Sequence, residues 1–262
     1  MNPLFTSPGS KTRLATRLIG LYPRHHTYIE PFAGGAACFW RKTPSPMEVL
    51  NDYDPDITQA YQVVRDATPT QLQALTNREW TVNETTFDLC QEPHPDPLEN
   101  TYRFLYRRRA SFGSRERNLH RAKTGLRLTS PKYLSQHKTR LRGVQVLNGD
   151  ALDVIRQYDQ PGVFMFIDPP WPGYHWKWKH YQMGDIANLL DTLEGVQHAT
   201  WLYAETTTLL DTLPDVPKGW RTSYLSYTGT GYGGVRKTRT ELILSNYTLA
   251  NQTSGGTNGQ RG

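Results

Sequence analysis

Val163-Phe164-Met165-Phe166-Ile167-Asp168-Pro169-Pro170-Trp171 is the stretch on which the reading of this 262-residue chain turns. Its first five residues, β-branched and aromatic in part, spell a buried strand. Two prolines then end the strand and stiffen its exit, because neither offers an N–H to a ladder. The Asp168 carboxylate is therefore expected at the carboxyl edge of a sheet, with the Trp171 ring just beyond it. Open α/β sheets bind their ligands at that edge. An acid in a rigid turn beside a flat aromatic suits the gripping of an exocyclic amino group on a planar base. A strand ending in an ordinary surface turn carries the same four letters, so support has to come from the rest of the chain.

Outward from this strand, other strands end in the same way. Thr27-Tyr28-Ile29 reads as a short strand running into Glu30-Pro31-Phe32-Ala33-Gly34-Gly35-Ala36-Ala37. With a helix from Ala36 to about Arg41 this makes a βα unit in which Gly34 and Gly35 let the backbone pass close to an adenosyl group. It is neither the Gly-x-Gly-x-x-Gly fingerprint nor a P-loop, which disfavours dinucleotides and nucleoside triphosphates. A second strand, Met47 to Leu50, ends at Asn51-Asp52, where a carboxylate grips ribose hydroxyls. Asp52, Asp54 and Asp56 lie together but lack the glycine and closing glutamate of a calcium loop. A third strand, Gly143 to Leu147, ends at Asn148-Gly149-Asp150, placing an acid to accept from the amino group of a bound adenine.

Two further readings complete the sheet. Ala199 to Ala204 is a strand, and Trp220–Tyr227 with Thr240–Tyr247 form an antiparallel pair around a glycine-rich basic loop, Gly229 to Arg239. Upstream, residues 11–21 have leucines at helical spacing, with Ser10 as N-cap and Pro23 beyond the end. Before that helix, Ser7-Pro8-Gly9-Ser10-Lys11 is a small-residue loop whose amides can approach a ligand. Alternating strands and helices predict an α/β fold with a Rossmann-like sheet.

Hydrophobic residues make up 37% of the chain and mean hydropathy is −0.66, the profile of a soluble globular protein. No run approaches the ~20 apolar residues of a membrane span, and no secretory leader is visible. Cys38 and Cys90 give neither a disulfide framework nor metal-like spacing, so a reducing, cytoplasmic interior is expected. Net charge is +6, unevenly spread: Glu99 to Arg142 holds ten Arg and three Lys against Glu99 and Glu116, a surplus of eleven, leaving −5 elsewhere. Residues 57 to about 90 read as polar helix, Gln91–Pro97 as a proline-rich break. After it come the interleaved Tyr, Phe and Arg of 102–115, where stacking and phosphate contacts combine in a nucleic-acid patch.

These pieces, in this order, resemble the Dam-like (D12 class) DNA adenine-N6 methyltransferases over about residues 6–247. Pro8-Gly9-Ser10-Lys11 is similar to the family's N-terminal loop, Glu30-Pro31-Phe32-Ala33-Gly34-Gly35 to its cofactor motif, and Asn51-Asp52 to its ribose-binding acid. Leu105-Tyr106 through Phe112-Gly113 and Arg115 looks like its target-recognition segment. Asp168-Pro169-Pro170-Trp171 looks like its catalytic tetrapeptide, and Thr240-Glu241-Leu242-Ile243 like its closing strand. Ser7 stands where the family usually has an aromatic, Trp171 where Tyr is more frequent, and the recognition segment is unusually rich in Arg.

The resemblance implies a Rossmann-like seven-stranded sheet formed by residues 1–65 and 143–249. Residues 66–142 would be an inserted, mainly helical, basic recognition domain, and 250–262 a disordered tail. It implies methyl transfer from S-adenosylmethionine to N6 of an adenine flipped from duplex DNA, by a monomer needing no metal and no membrane. Catalysis would fall to Asp168, Pro169, Pro170 and Trp171. The cofactor would be held by Pro8, Gly9, Lys11, Glu30, Pro31, Phe32, Ala33, Gly34, Gly35, Asp52, Asp150 and Asp168. DNA would be held by Arg107, Arg108, Arg109, Phe112, Arg115, Arg117, Arg121, Lys123, Arg236 and Lys237. RNA adenosine-N6 methylation, DNA cytosine-N4 methylation (usually with Ser in place of Asp168) and an inactive DNA-binding homologue are the alternatives.

Overall fold

A computed structural model describes residues 1–128, 133–172, 181–206, 216–230 and 236–249. A 3-10 turn, Lys11–Arg13, leads into α1 (Ala15–Ile19) and then β1 (Thr27–Glu30) and β2 (Met47–Asp52). Four helices come next before the sheet continues: α2 (Pro55–Asp66), α3 (Pro69–Thr76), α4 (Glu84–Leu89) and α5 (Pro97–Ala110). Then follow α6 (Leu134–Leu141), β3 (Gln145–Asn148), α7 (Ala151–Gln157), β4 (Val163–Ile167), α8 (Met183–Glu194), β5 (Thr200–Thr206), β6 (Arg221–Thr230) and β7 (Arg236–Ser245).

The seven strands lie in the order β3-β2-β1-β4-β5-β7-β6. Parallel pairing holds from β3 to β5, and β7 runs antiparallel to both β5 and β6. Strand order reverses between β1 and β4, the switch point at which such sheets open a crevice beyond their carboxyl ends. β4 is buried along its whole length because both faces are covered. Phe164 and Phe166 enter one apolar cluster with α2 and α5, while Val163, Met165 and Ile167 enter another with α7 and α8. A continuous apolar run is what a strand sandwiched in this way requires.

Local chemistry starts the helices. Asp54 caps α2 with Pro55 in its first turn, and Thr68 and Gln71 close a capping box on α3. The proline-rich 91–97 stretch both breaks the chain and begins α5, where Asp96 caps and Pro97 takes the first turn.

Among the described residues, 66–142 contribute helices and no sheet strand, but they do not form a core of their own. Trp80, Phe87, Phe104 and Leu105 belong to the cluster that contains Phe164 and Phe166.

Three local expectations are corrected. The helix over 11–21 is a tight 3-10 turn followed by the five-residue α1, and Ser10 makes no side-chain cap; its hydroxyl meets Thr12 Oγ1 at 2.8 Å. The helix from Ala36 to Arg41 is a series of turns. Ala36 has φ of 49°, and the Phe39 N–H is taken by the Glu30 carboxylate (2.8 Å). Finally, β6 and β7 extend into the expected loop, pairing as far as Thr230 opposite Arg236. The tail beyond 249 lies outside the described residues.

Candidate active site

A cavity opens at the β1–β4 switch point, with Asp52 and the glycine turn on one side and Asp168 on the other. The glycine turn forms its wall for steric reasons. Gly34 has φ of 46°, and a Cβ on Gly35 would stand 3.0 Å from the Phe5 carbonyl oxygen. Below the turn, Glu30 is 2% exposed and accepts from Tyr28 Oη (2.7 Å) and the Phe39 N–H. Burial pushes its carboxyl up to about 8, against the pull of those two donors. Glu30 thus braces the turn from the cavity floor. Pro31 is outside the cavity lining, and its carbonyl accepts from Asn51 Nδ2 at 2.9 Å.

Asp52 leaves β2 with its two oxygens separately anchored: Oδ2 accepts the Gly34 N–H (2.7 Å) and Oδ1 the Asp54 N–H (2.9 Å). A carboxylate held by backbone N–H groups at the cavity wall is the kind of acceptor that a vicinal diol needs. Burial raises the Asp52 pKa, opposed by these N–H groups and by Arg108. Asp54, raised to about 7 by burial and by the neighbouring Asp52 charge, is also eased by Arg108. Asp150 lines the same cavity and caps α7 through the Leu152 N–H at 2.8 Å.

Asp168 leaves β4 at the cavity's far side, where Lys11 Nζ reaches its Oδ1 at 2.6 Å. Lys11 is 5% exposed and also lies 3.8 Å from Glu241 Oε2. Burial works against the ammonium, yet Asp168, Glu241 and Glu205 outweigh it, and the lysine pKa rises. Burial in turn lifts the Asp168 pKa, and Lys11 holds that rise in check. Lys11 thus engages one oxygen of Asp168 at the edge of the cavity that the acid lines. Pro169 is buried and Trp171 half-buried. Gly9, at φ 78°, lets the loop lie against Trp171, where a Cβ would be 3.7 Å from the indole.

Lys11 and Glu30 line the cavity as well, and the Lys11 ammonium is engaged by carboxylates, Asp168 above all. Pro8, Gly9, Phe32, Ala33, Gly34, Gly35, Asp52, Asp150 and the Asp168–Trp171 tetrapeptide do share the cavity.

The basic segment requires a larger correction. Arg107 and Arg108 are each 3% exposed and do not present charge to solvent. Arg107 binds Asp56 (3.1 Å) and Glu116 (2.9 Å), and Arg108 binds Glu116 (2.6 Å) and lies 3.7 Å from Asp54. Arg109 packs its guanidinium 5.2 Å from the Trp80 ring centroid and donates to the Leu4 carbonyl (3.3 Å); burial lowers its pKa to about 10. These three arginines are interior ties. Phe112, Arg115, Arg117 and Arg121 are exposed, whereas Lys123 is half-buried and donates to the Arg109 carbonyl at 2.6 Å. Arg236 and Lys237 open β7, and their side chains lie outside the described residues.

Reading the sequence missed Glu205, Glu241 and Arg108 as neighbours of the site. Glu241 stands in the closing strand, where an acid directly before the apolar Leu242-Ile243-Leu244 run was the available signal. Glu205 and Arg108 carried none, because only the fold brings Glu205 within electrostatic reach of Lys11 and Arg108 to the cavity wall.

Residues 7–188 match the family described as D12 class N6 adenine-specific DNA methyltransferase. The Type II methyltransferase M1.LlaDCHI of Lactococcus lactis subsp. cremoris is 23% identical over 190 residues, covering 65% of this chain and 66% of that relative. The match therefore spans just under two thirds of the relative's length. Among solved structures, the rRNA methyltransferase aviRa of Streptomyces viridochromogenes is 15% identical, with a TM-score of 0.43, over 93% of this chain and 89% of that one. A SAM-dependent methyltransferase of Agrobacterium tumefaciens is 8% identical, with a TM-score of 0.38, over 89% and 60%.

Proposed function

This chain belongs to the D12 class N6 adenine-specific DNA methyltransferases, and on that premise we propose that it methylates N6 of an adenine flipped out of duplex DNA, using S-adenosylmethionine. The observation carrying this reading is that Asp168, paired with Lys11, faces the same cavity as Asp52 and the glycine turn. The cradle suits an adenosyl group: Gly34 and Gly35 keep side chains out of its path, and Asp52 offers lone pairs to a ribose diol. When bound there, S-adenosylmethionine supplies an electrophilic methyl group on a sulfonium.

The chain's own residues do the rest. An adenine amino lone pair is delocalised into the ring and is a poor nucleophile. Asp168 accepts one amino N–H and the Pro169 carbonyl the other, which favours a pyramidal nitrogen and fixes its direction of attack. Lys11 keeps Asp168 ionised as water leaves, so the acceptor retains its charge in a dry site. Trp171 provides the face on which the base stacks, and most of the rate derives from orientation and fixed charge. We assign residues 66–142 to target recognition, with Phe112, Arg115, Arg117 and Arg121 toward DNA, and place the protein in the cytoplasm of a bacterial or phage-infected cell.

The test is methylation of a mixed-sequence plasmid followed by mapping of the modified bases. N6-methyladenine at one recurring sequence is expected. Transfer to structured RNA with none to duplex DNA, or N4-methylcytosine as product, overturns the reading.

A further inference from the structure

One acid, Glu116, sits inside the most basic stretch of the chain, between Arg115 and Arg117. It does not face outward with them. Its side chain is 13% exposed and is gripped from beneath by α5: Oε1 lies 2.6 Å from Arg108 Nε, and Oε2 accepts from Arg107 Nε at 3.0 Å. Its N–H donates to Ser111 Oγ (2.9 Å), and its carbonyl accepts from Gln91 Nε2 (3.0 Å). Ser114 is tied as well, its carbonyl accepting from Arg108 (3.3 Å) and its hydroxyl meeting Thr6 Oγ1 (2.6 Å).

The backbone explains the need for so many ties. Gly113, Ser114 and Glu116 have φ of 60°, 58° and 66°, the left-handed region that residues with a Cβ avoid. Two such residues in four positions persist only when their surroundings over-determine them, and such strain gathers at functional turns. This turn displays Phe112, 44% exposed and edge-on to His120 at 5.2 Å, together with exposed Arg115 and Arg117. An apolar ring flanked by guanidinium groups suits partial insertion between bases with phosphate contacts on either side.

We propose that Glu116 is a positioning residue: its charge is absorbed by Arg107 and Arg108 so that the 111–117 turn is preset in the shape that offers Phe112, Arg115 and Arg117 to duplex DNA. The proposal rests on the DNA-methyltransferase reading above. It carries an unusual sign. Simple Coulomb attraction makes any acid beside a phosphate-binding surface a hindrance, so removing it should tighten binding. A preset turn requires the reverse.

The experiment measures fluorescence anisotropy of a labelled short duplex with the full-length wild-type protein, Glu116→Gln and Glu116→Asp. Glu116→Gln is expected to bind about tenfold more weakly, a loss of the size usual for removing one member of a coupled network. The dependence on salt should stay unchanged, because the phosphate-binding arginines remain. Glu116→Asp keeps the charge but withdraws it by one methylene, and should lose several-fold even if Glu116→Gln folds poorly. Unchanged or tighter binding in a folded variant overturns the proposal. Hydrogen exchange of the 112–117 amides, read without DNA, should quicken in Glu116→Gln; equal protection overturns it as well. Wild-type protein that ignores duplex DNA sinks the DNA reading and the partner assigned here, while the exchange result still decides the clasp separately.

Discussion

The acids at the carboxyl edge of the sheet and the arginines of α5 are both dense charge, yet they do opposite work. Asp52 and Asp168 are anchored by N–H groups or by Lys11 and line the cavity. Arg107 and Arg108 are matched on the inside, to Asp54, Asp56 and Glu116. A strand end points its side chains at a crevice because the chain must leave the sheet there. A helix packed on another helix buries whole turns, and Arg buried in this way survives only with acids to meet it. Charge on a strand end therefore speaks of a ligand, whereas charge on a packed helix speaks of the interior.

The largest effect expected from breaking this contrast lies at the strand ends. Asp168→Ala should lower methyl transfer by on the order of 10³-fold or more, measured by incorporation of labelled methyl groups, because the amine loses its charged acceptor. DNA affinity should hold, and normal turnover would remove Asp168 from the chemistry. Next is Arg107→Met, which takes a buried cation away from Asp56 and Glu116 and should cost ~3–5 kcal/mol in denaturant unfolding. A loss below ~1 kcal/mol would mean that the guanidinium is not an interior tie. Asp52→Ala should weaken S-adenosylmethionine binding by about ten- to a hundredfold in calorimetry, the usual worth of hydrogen bonds to a charged group.

A subtler effect concerns Glu30. Its folded pKa is about 8, against 4.5 ordinarily, so the folded protein binds more protons than the unfolded chain between those values. Stability should accordingly be full below about pH 4.5 as far as this group goes, fall as pH rises, and be lost through pH 8. Glu30→Gln keeps acceptors for Tyr28 and Phe39 and should flatten the decline in melting temperature over that window. The smallest effect is reserved for Arg117→Ala. This exposed residue should leave stability within ~0.5 kcal/mol and reduce the slope of log affinity against log salt by about one.

Much of the sheet was legible because strands ending in Pro or Gly announce themselves; β2 and β4 lie where their apolar runs placed them, and their acids share one cavity. What escaped depends on partners distant in the chain. Whether Arg107 faces out or in is decided by Asp56, 51 positions away, and no local pattern records that match. The missing helix after Gly35 escaped for a similar reason: its Phe39 N–H went to Glu30 instead of a backbone carbonyl. Lys11 read as part of a ligand-binding loop, since its acids, Asp168 and Glu241, lie far downstream.

The Lys11–Asp168 pair spans 157 positions, and Glu241, which shares the same ammonium, stands in β7. Long-range closures of this kind come late in folding, since loop entropy is lost before the contact repays it. During synthesis, at about 5–20 residues per second, Lys11 waits many seconds for its first acid and longer for its last. On the proposed function, the nascent chain is expected to be silent in methyl transfer until its closing strands are laid down. A refolding experiment should accordingly see methyl transfer return with β7 rather than with the first half of the sheet.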